Sequence, residues 1–480
     1  MALALLPAAV VTWSAPTTAL AAGTGPCDIY ASGGTPCVAA HSTTRALYGS
    51  YAGNLYQVRR SSDNTTRDIG LSAAGGTANA AVQDSFCAGT TCVITVVYDQ
   101  SGRGNDLWYQ GSAVVPGSTQ SKPAIATSEA LAVGGNKAYS LYINPGNSYW
   151  RDGHLTGVPT GSAPEGMYMV TSGTHVNNGC CFDYGNSETT RSADAAGAMD
   201  AINFSTQCWF GGCSGTGPWV QADLEWGLYP GGSQQWNPNQ RAFPNRFVTA
   251  MLKNNGTTRF ALKGSDAQAG GLTTLYDGAL PNGYSPMKKQ GAIILGSGGD
   301  CCKPGGGANL SAGTFYEGAM VAGYPSDATE AAVQANVVAA GYTTGGGTTP
   351  GGAVRAVGAG KCLDVPNGTT ALGTQTQIRD CNGGAGQAWT RTSSGQLTVY
   401  QGGDQRCLDA SGQGTSAGTK VVIWSCNGQA NQRWNVNANG TITGAQSGLC
   451  LDVSGASTAN GALVQLWTCH GGANQQWALT

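Results

Sequence analysis

Two carboxylates one residue apart lie in Gly217-Pro218-Trp219-Val220-Gln221-Ala222-Asp223-Leu224-Glu225-Trp226. Strand alternation would put Asp223 and Glu225 on one face and Leu224 on the other. Two acids side by side among tryptophans are costly unless paired or hydrogen-bonded. Like charges also push one pKa up, which is how acid and nucleophile roles become separated. The plain alternative is a solvated strand face. A second candidate is Gly296-Ser297-Gly298-Gly299-Asp300-Cys301-Cys302. There an apolar run ends in a glycine-rich turn that presents an aspartate, as turns on a rigid sheet often present reactive groups. Gly-Gly-Asp is equally an ordinary turn. Cys180-Cys181 and Cys301-Cys302 are both vicinal pairs. A bridge between neighbours closes a tight ring of a kind found at functional sites, but adjacency leaves open whether each cysteine pairs elsewhere.

The frame that must hold these groups reads as all-β. Of 480 residues 75 are glycine and only 10% are charged, against roughly 25% charged in an average domain. Short runs such as Cys92–Asp99, Gly166–Val170 and Gly291–Gly296 read as strands between turns. Two helices are expected, Ala39–Tyr51 and Asp327–Ala340, the second with Asp327 as N-cap and Glu330 at N3. Many short strands in about 320 residues suit a β-sandwich. The Gly/Thr-rich segment 343–353 reads as a linker, dividing a domain over 23–342 from a module over 354–480.

A net charge of −2 with no basic cluster argues against a nucleic-acid partner. Sixteen cysteines, many in short-range pairs such as Cys27/Cys37, Cys87/Cys92 and Cys208/Cys213, point to disulfides in an oxidising compartment. His41, His154, His175 and His470 lie at no metal-ligand spacing from a cysteine, so neither metal nor cofactor is expected. Residues 1–22, with an apolar run Leu3–Val11 and a small-residue site at Ala19-Leu20-Ala21, read as a signal peptide. It lacks a basic n-region, as a truncated signal would. The mature chain is expected to be extracellular and monomeric. No other stretch is long and apolar enough to span a membrane.

Several motifs in order resemble α-L-arabinofuranosidases of glycoside hydrolase family 54. They are Gly25-Pro26-Cys27-Asp28-Ile29-Tyr30, Gly179-Cys180-Cys181-Phe182-Asp183-Tyr184-Gly185-Asn186, the Asp223/Glu225 segment, and Ser311-Ala312-Gly313-Thr314-Phe315-Tyr316-Glu317-Gly318. The resemblance covers residues 25–342. It implies a concanavalin-like β-sandwich and a retaining mechanism, with Glu225 as nucleophile and Asp300 as acid/base. Asp300 would then have its pKa lifted by the Glu225 charge and by desolvation. It further implies a Cys180–Cys181 disulfide against the sugar ring, Asp223 on sugar hydroxyls, Gly299 and Leu228 lining the pocket by their backbone, and Trp209 as an aromatic wall. Two departures stand out. Trp226 occupies the position after the nucleophile where the family has asparagine, and Cys301-Cys302 beside the acid/base is outside the family pattern. Glu317 reads as structural rather than catalytic.

The last quarter repeats one unit three times. Cys362-Leu363-Asp364, Cys407-Leu408-Asp409 and Cys450-Leu451-Asp452 are followed at a constant distance by Cys381, Cys426 and Cys469, each then closing on a Gln-x-Trp. A fixed period of this size marks a repeated supersecondary unit. The pattern, one cysteine pair per unit, resembles the ricin-B type β-trefoil of carbohydrate-binding module family 13. The third unit has every sugar-binding element implied by the resemblance: Asp452, Gln465, Trp467 and Asn474. The second has Asp409, Trp424 and Asn431, with Val422 in place of the Gln. In the first, Arg379 and Gly386 replace the aromatic and the Asn. Trp389, Trp434 and Trp477 read as core. Together these readings lead to a secreted exo-acting α-L-arabinofuranosidase held on arabinoxylan, arabinan or xylan. The alternatives are a glycosidase that also cleaves β-xylosides, or a non-catalytic lectin-like protein.

Overall fold

Alternation of apolar and polar residues in short strands builds two antiparallel sheets in the N-terminal half. The computed structural model describes residues 23–479 apart from 112–116, 118–120, 210, 304–306, 345–351, 383, 393–394, 401–404 and 438. Residues 1–22, read from the sequence as a signal peptide, and most of the segment read as a linker therefore lie outside the described residues. One sheet runs Cys37–Ser42, Gly313–Ala322, Glu165–Thr171, Val248–Asn254, Arg259–Asp266, Thr273–Ala279. The other begins with the five strands that matter for the site: Leu228–Tyr229, Trp219–Asp223, Asp200–Ser205, Asp183–Ser187 and Ala292–Leu295. Phe182, Tyr184, Phe204 and Val220 from this second sheet share one buried cluster with Met167, Val170, Leu252 and Phe315 from the first. Each such side chain contributes roughly 1.5–3 kcal/mol by leaving water.

Three sequence expectations change. Ala39–Tyr51 is not a helix: Cys37–Ser42 is a fully buried strand paired with Gly313–Ala322. Ser42 Oγ then accepts the backbone N–H groups of Thr44 and Arg45, each at 3.0 Å, a local bond that competes with helical pairing. The terminal helix forms as Asp327–Ala339, but its cap is Ser326, whose Oγ accepts from Thr329 N at 3.1 Å. Asp327 and Glu330 instead hold Lys253 and Lys263 at 2.6–2.8 Å. Thr343 and Thr344, read as the start of the linker, belong to a strand, Tyr342–Thr344, paired with Ala130–Val133. Glu317 is structural. Fully buried, its carboxylate takes Arg45 Nη2 at 2.7 Å and the hydroxyls of Tyr342 and Tyr168 at 2.6 and 3.0 Å.

In the C-terminal module three like units of four strands each follow one another. The first comprises Val354–Ala356, Lys361–Asp364, Gln377–Arg379 and Trp389–Arg391. The three Gln-x-Trp tryptophans are buried, and their indole N–H groups donate to the carbonyls of Leu363, Leu408 and Leu451 at 2.8, 3.0 and 2.9 Å. They are core, as expected. Disulfides join Cys362–Cys381, Cys407–Cys426 and Cys450–Cys469. In the first domain Cys27–Cys37, Cys87–Cys92, Cys180–Cys181, Cys208–Cys213 and Cys301–Cys302 are bonded, so no cysteine is free. Both vicinal pairs therefore bridge their own neighbours. Among the described residues no helix is long and apolar enough to cross a membrane.

Candidate active site

Asp223 ends its strand, and Glu225 is not on that strand. Asp223 pairs with Leu228 across a hairpin, and Leu224 N donates to Gly227 O at 3.4 Å. Glu225 and Trp226 form the two-residue tip, with φ of 63° and 58°. Consecutive positive φ values are the signature of a type I′ turn, where Asn-Gly is the favoured pair. Glu-Trp is a poor choice there and costs on the order of 1–3 kcal/mol per residue. Alternation therefore failed as a guide to Glu225, because a turn of this type keeps the hairpin register while re-aiming its tip. Two bonds hold the tip: Glu225 N donates to Asp223 Oδ1 at 3.1 Å, and Tyr284 OH donates to Glu225 O at 2.8 Å. Tyr284 is itself packed edge-on against Tyr229. Trp226 is 59% exposed and its indole N–H reaches Ala193 O at 3.4 Å, so it forms a rim. Leu228 is buried beneath the tip.

Asp300 comes from a different turn, after Ala292–Leu295. Cys301 N donates to Gly298 O at 3.2 Å and Cys302 N to Gly307 O at 2.8 Å. With the Cys301–Cys302 bridge they fasten the turn. A side chain at Gly298 would stand 3.5 Å from Asp300 Oδ1 and 3.7 Å from Cys181 Cβ. The acid and the vicinal disulfide thus flank one spot. Cys181 Sγ and the carboxylates of Asp183 and Asp223 lie within 4.8 Å of one another. That sulfur is in a disulfide and offers no thiolate to a metal. Cys180 and Cys181 are joined by a cis peptide. Trp209 is 43% exposed on the loop closed by Cys208–Cys213. Asp300 is exposed.

Two members of the cluster were missed in the sequence. Asp183 opens the Asp183–Ser187 strand, Glu188 follows its end, and both are fully buried. Glu188 is in hydrogen-bonding contact with Glu225, and Asp183 with Asp223. Burial, then the contact with Glu225, pushes Glu188 up to about 10. Burial, then the Asp223 charge, raises Asp183 strongly. Asp223 is raised to about 7 by burial and next by the Glu225 charge. Glu225 is also raised by burial, with the Glu188 hydrogen bond pulling it back and the Asp300 charge adding to the rise. Gly299 explains its own identity, because a Cβ there would collide with Glu188 Oε2 and sit 2.9 Å from Met199 Sδ. Asp183 lies within a motif already quoted, whereas Glu188 in Ser-Glu-Thr-Thr carries no local signal.

Residues 26–343 match the family model for the catalytic domain of alpha-L-arabinofuranosidase B. The chain belongs to this family. A probable alpha-L-arabinofuranosidase B of Aspergillus fumigatus is 53% identical over 325 residues, covering 67% of the chain and 63% of that relative. The alpha-L-arabinofuranosidase B of Emericella nidulans is 51% identical, covering 67% and 62%. A Trichoderma koningii protein named arabinofuranosidase/B-xylosidase is 51% identical, covering 66% and 63%. The chain thus spans less than two thirds of these curated relatives. A solved arabinofuranosidase complexed with arabinofuranosyl-alpha-1,2-xylobiose matches with a TM-score of 0.63 and 34% identity, over 95% of this chain and 98% of that one. Residues 350–477 match the ricin-type beta-trefoil lectin domain.

In the trefoil, Gln387, Gln432 and Gln475 orient the three aspartates by N–H bonds of 3.1, 2.9 and 2.9 Å to Asp364, Asp409 and Asp452. In the third unit Gln465 and Asn474 add bonds to Asp452 at 3.1 and 2.8 Å, beside Trp467, which is 41% exposed. In the second, Asn431 holds Asp409 at 2.9 Å and Trp424 is 42% exposed. A cavity of about 320 Å³ opens there, lined by Asp409, Gln413, Val422, Trp424 and Asn427 among others. In the first unit Arg379 is exposed, and Gly386, near Tyr400 OH, stands in place of the Asn. Loss of a stacking indole from a formed site should weaken binding to insoluble xylan by about tenfold, or ~1.4 kcal/mol. Trp467→Ala and Trp424→Ala are both expected to do so. The loss should be larger for Trp467, where Gln465 adds a hydroxyl partner that Val422 cannot. Arg379→Ala should change affinity less than twofold. Depletion isotherms on xylan check this, and equal losses from all three would refute the ranking.

Proposed function

We propose that the chain is a secreted, retaining, exo-acting α-L-arabinofuranosidase that removes terminal arabinofuranose from arabinoxylan or arabinan side chains, with the trefoil gripping the polymer. The reading rests on the way Glu225 and Asp300, carried by separate turns, face one cluster that contains Asp223 and the Cys180–Cys181 disulfide. In retaining hydrolysis the two carboxyls lie about 5–5.5 Å apart. Glu225 attacks the anomeric carbon while Asp300 gives its proton to the departing oxygen, so the glycosidic bond breaks as an ester to Glu225 forms. Asp300 then takes a proton from water, which cleaves the ester and regenerates both groups. Exposure of Asp300 lets it exchange protons with solvent and the leaving group. Asp223 accepts sugar hydroxyls, and the vicinal sulfurs offer an apolar face to the ring. Pairing of all cysteines supports an oxidising, extracellular location.

A second reading, additional cleavage of β-xylosides, is favoured by the name of the Trichoderma koningii relative and by the large exposed Trp226 at the rim. Wild-type hydrolysis of aryl α-L-arabinofuranosides and aryl β-xylosides, with the first-formed anomer followed by NMR, tests both. Release of α-arabinofuranose first is expected. An inverted first product overturns the retaining mechanism, and inertness toward both substrates leaves only a lectin-like role.

A further inference from the structure

Asp183, Glu188, Asp223, Glu225 and Asp300 gather in one place, and no ion pair among the described residues reaches any of them. The nearby cations are occupied elsewhere. Lys303 bonds Thr190 O and Ser192 Oγ, and Arg191 lies over the Trp150 ring. Burying several anions together without a cation is prohibitive, so protons must do the neutralising.

The hydrogen bonds show which groups hold them. Asp183 Oδ1 accepts from Asn203 at 2.7 Å, while its Oδ2 is buried with no donor. Glu188 repeats the pattern: Oε2 accepts from Ser187 Oγ at 3.4 Å, while Oε1 is buried with no donor. A buried carboxylate oxygen with no donor is rare. In both residues the other hydrogen-bonding neighbour is itself a carboxylate, Asp223 for Asp183 and Glu225 for Glu188. Asp223 takes Glu225 N–H and Glu225 takes Trp226 N–H, whereas Asp183 has no backbone donor and Glu188 only the N–H of its own residue. Each orphaned oxygen is satisfied if it carries a proton and donates it.

We propose that Asp183 and Glu188 are permanently protonated positioning residues, each donating an O–H hydrogen bond to the working carboxylate beside it, Asp183 to Asp223 and Glu188 to Glu225. The roles of Asp223 and Glu225 rest on the proposed function, while the protonation does not. Glu188 thereby fixes the attacking oxygen of Glu225 and keeps its charge in place. It also fixes Gly299, the only residue type that fits over its carboxyl. Asp183 does the same for the hydroxyl acceptor. Both proton-sharing pairs are supplied by one short segment, residues 183–188, which stands two strands away from Trp219–Asp223.

The two arms of the test separate protonation from catalysis. Infrared difference spectra of the full chain at pH 7 should contain a protonated-carboxyl C=O band that disappears in Glu188→Gln. Stability should also carry the proton. A carboxyl whose folded pKa lies near 10 contributes stability that is complete below its unfolded value and is lost as pH rises toward 10. Denaturant midpoints of wild type should fall along this window, and those of Glu188→Gln should fall less. The other carboxyl groups that face this cluster are Asp183, Asp223, Glu225, Asp194 and Asp300. In the kinetic arm, Glu188→Ala should lower kcat/KM roughly 10²-fold, the scale of a misplaced reacting group. Glu188→Gln keeps an N–H donor and should lose less than tenfold, with the alkaline limb of its pH profile moved up or removed. Wild type lacking the Glu188-dependent band overturns the proposal, as does a Glu188→Gln variant as impaired as Glu188→Ala with an unchanged alkaline limb. If Glu188→Ala fails to fold, the near-isosteric Gln variant still decides. Because the spectra and midpoints involve no turnover, they stand even if Glu225 proves not to be the nucleophile.

Discussion

Glu225→Ala is expected to lower turnover of aryl α-L-arabinofuranosides by on the order of 10⁴–10⁶-fold, the loss seen when a nucleophile is deleted. The variant should still fold. Alanine at φ 63° is no more strained than glutamate, and the tip keeps its backbone bonds to Asp223 and Tyr284. Glu188 then simply remains a neutral acid facing a small cavity. That cavity admits azide, which attacks from the vacated side. Activity should return with azide, and the product should be the glycosyl azide of inverted configuration. Full activity without azide would sink the nucleophile assignment.

Asp300→Ala should discriminate among leaving groups. Proton donation contributes typically 10²–10⁴-fold, and only where the departing oxygen needs a proton. Release from arabinoxylan or from an alkyl arabinofuranoside should therefore fall by about that range. Release from a dinitrophenyl arabinofuranoside should begin with a near wild-type burst and then stall on the ester at Glu225. Azide should accelerate the second step and give an azide of retained configuration, opposite to the outcome at Glu225. Equal losses for good and poor leaving groups would remove Asp300 from the acid role. Since Asp300 is exposed, in none of the described ion pairs, and a like charge to Glu225 and Asp223, its removal should not lower the denaturation midpoint.

Cysteine spacing, Gln-x-Trp closure and glycine-rich turns carried most of the architecture, because each is a local requirement written in neighbouring residues. The trefoil tryptophans are core for the reason their position suggested. The part that could not be read depends on pairings between distant segments. Glu188 becomes significant only when Asp183–Ser187 lies two strands from Trp219–Asp223, and nothing in Ser-Glu-Thr-Thr announces that. Glu225 was read as a strand residue because alternation continues through it, while Glu and Trp are poor advertisements for a left-handed turn. Ala39–Tyr51 misled in the opposite direction. Its alanines suit a helix, but pairing with Gly313–Ala322 and the Ser42 turn outweighed propensity. Asp300 does lie on a turn after Ala292–Leu295, and that the turn leaves it in water is not legible in the sequence.

Every disulfide is short in sequence, separated by at most 19 residues, and all of them close within one domain or the other. Crosslinks over such small loops stabilise by about 3 kcal/mol or less each, and none spans residues 345–351. The covalent connection between the C-terminal trefoil and the N-terminal domain is thus a single run of peptide bonds. One proteolytic nick in that run would free two intact, fully oxidised bodies on a non-reducing gel. Under the proposed function, soluble-substrate activity should stay with one fragment and retention on the polymer with the other, so a single cut would end anchorage without touching either site.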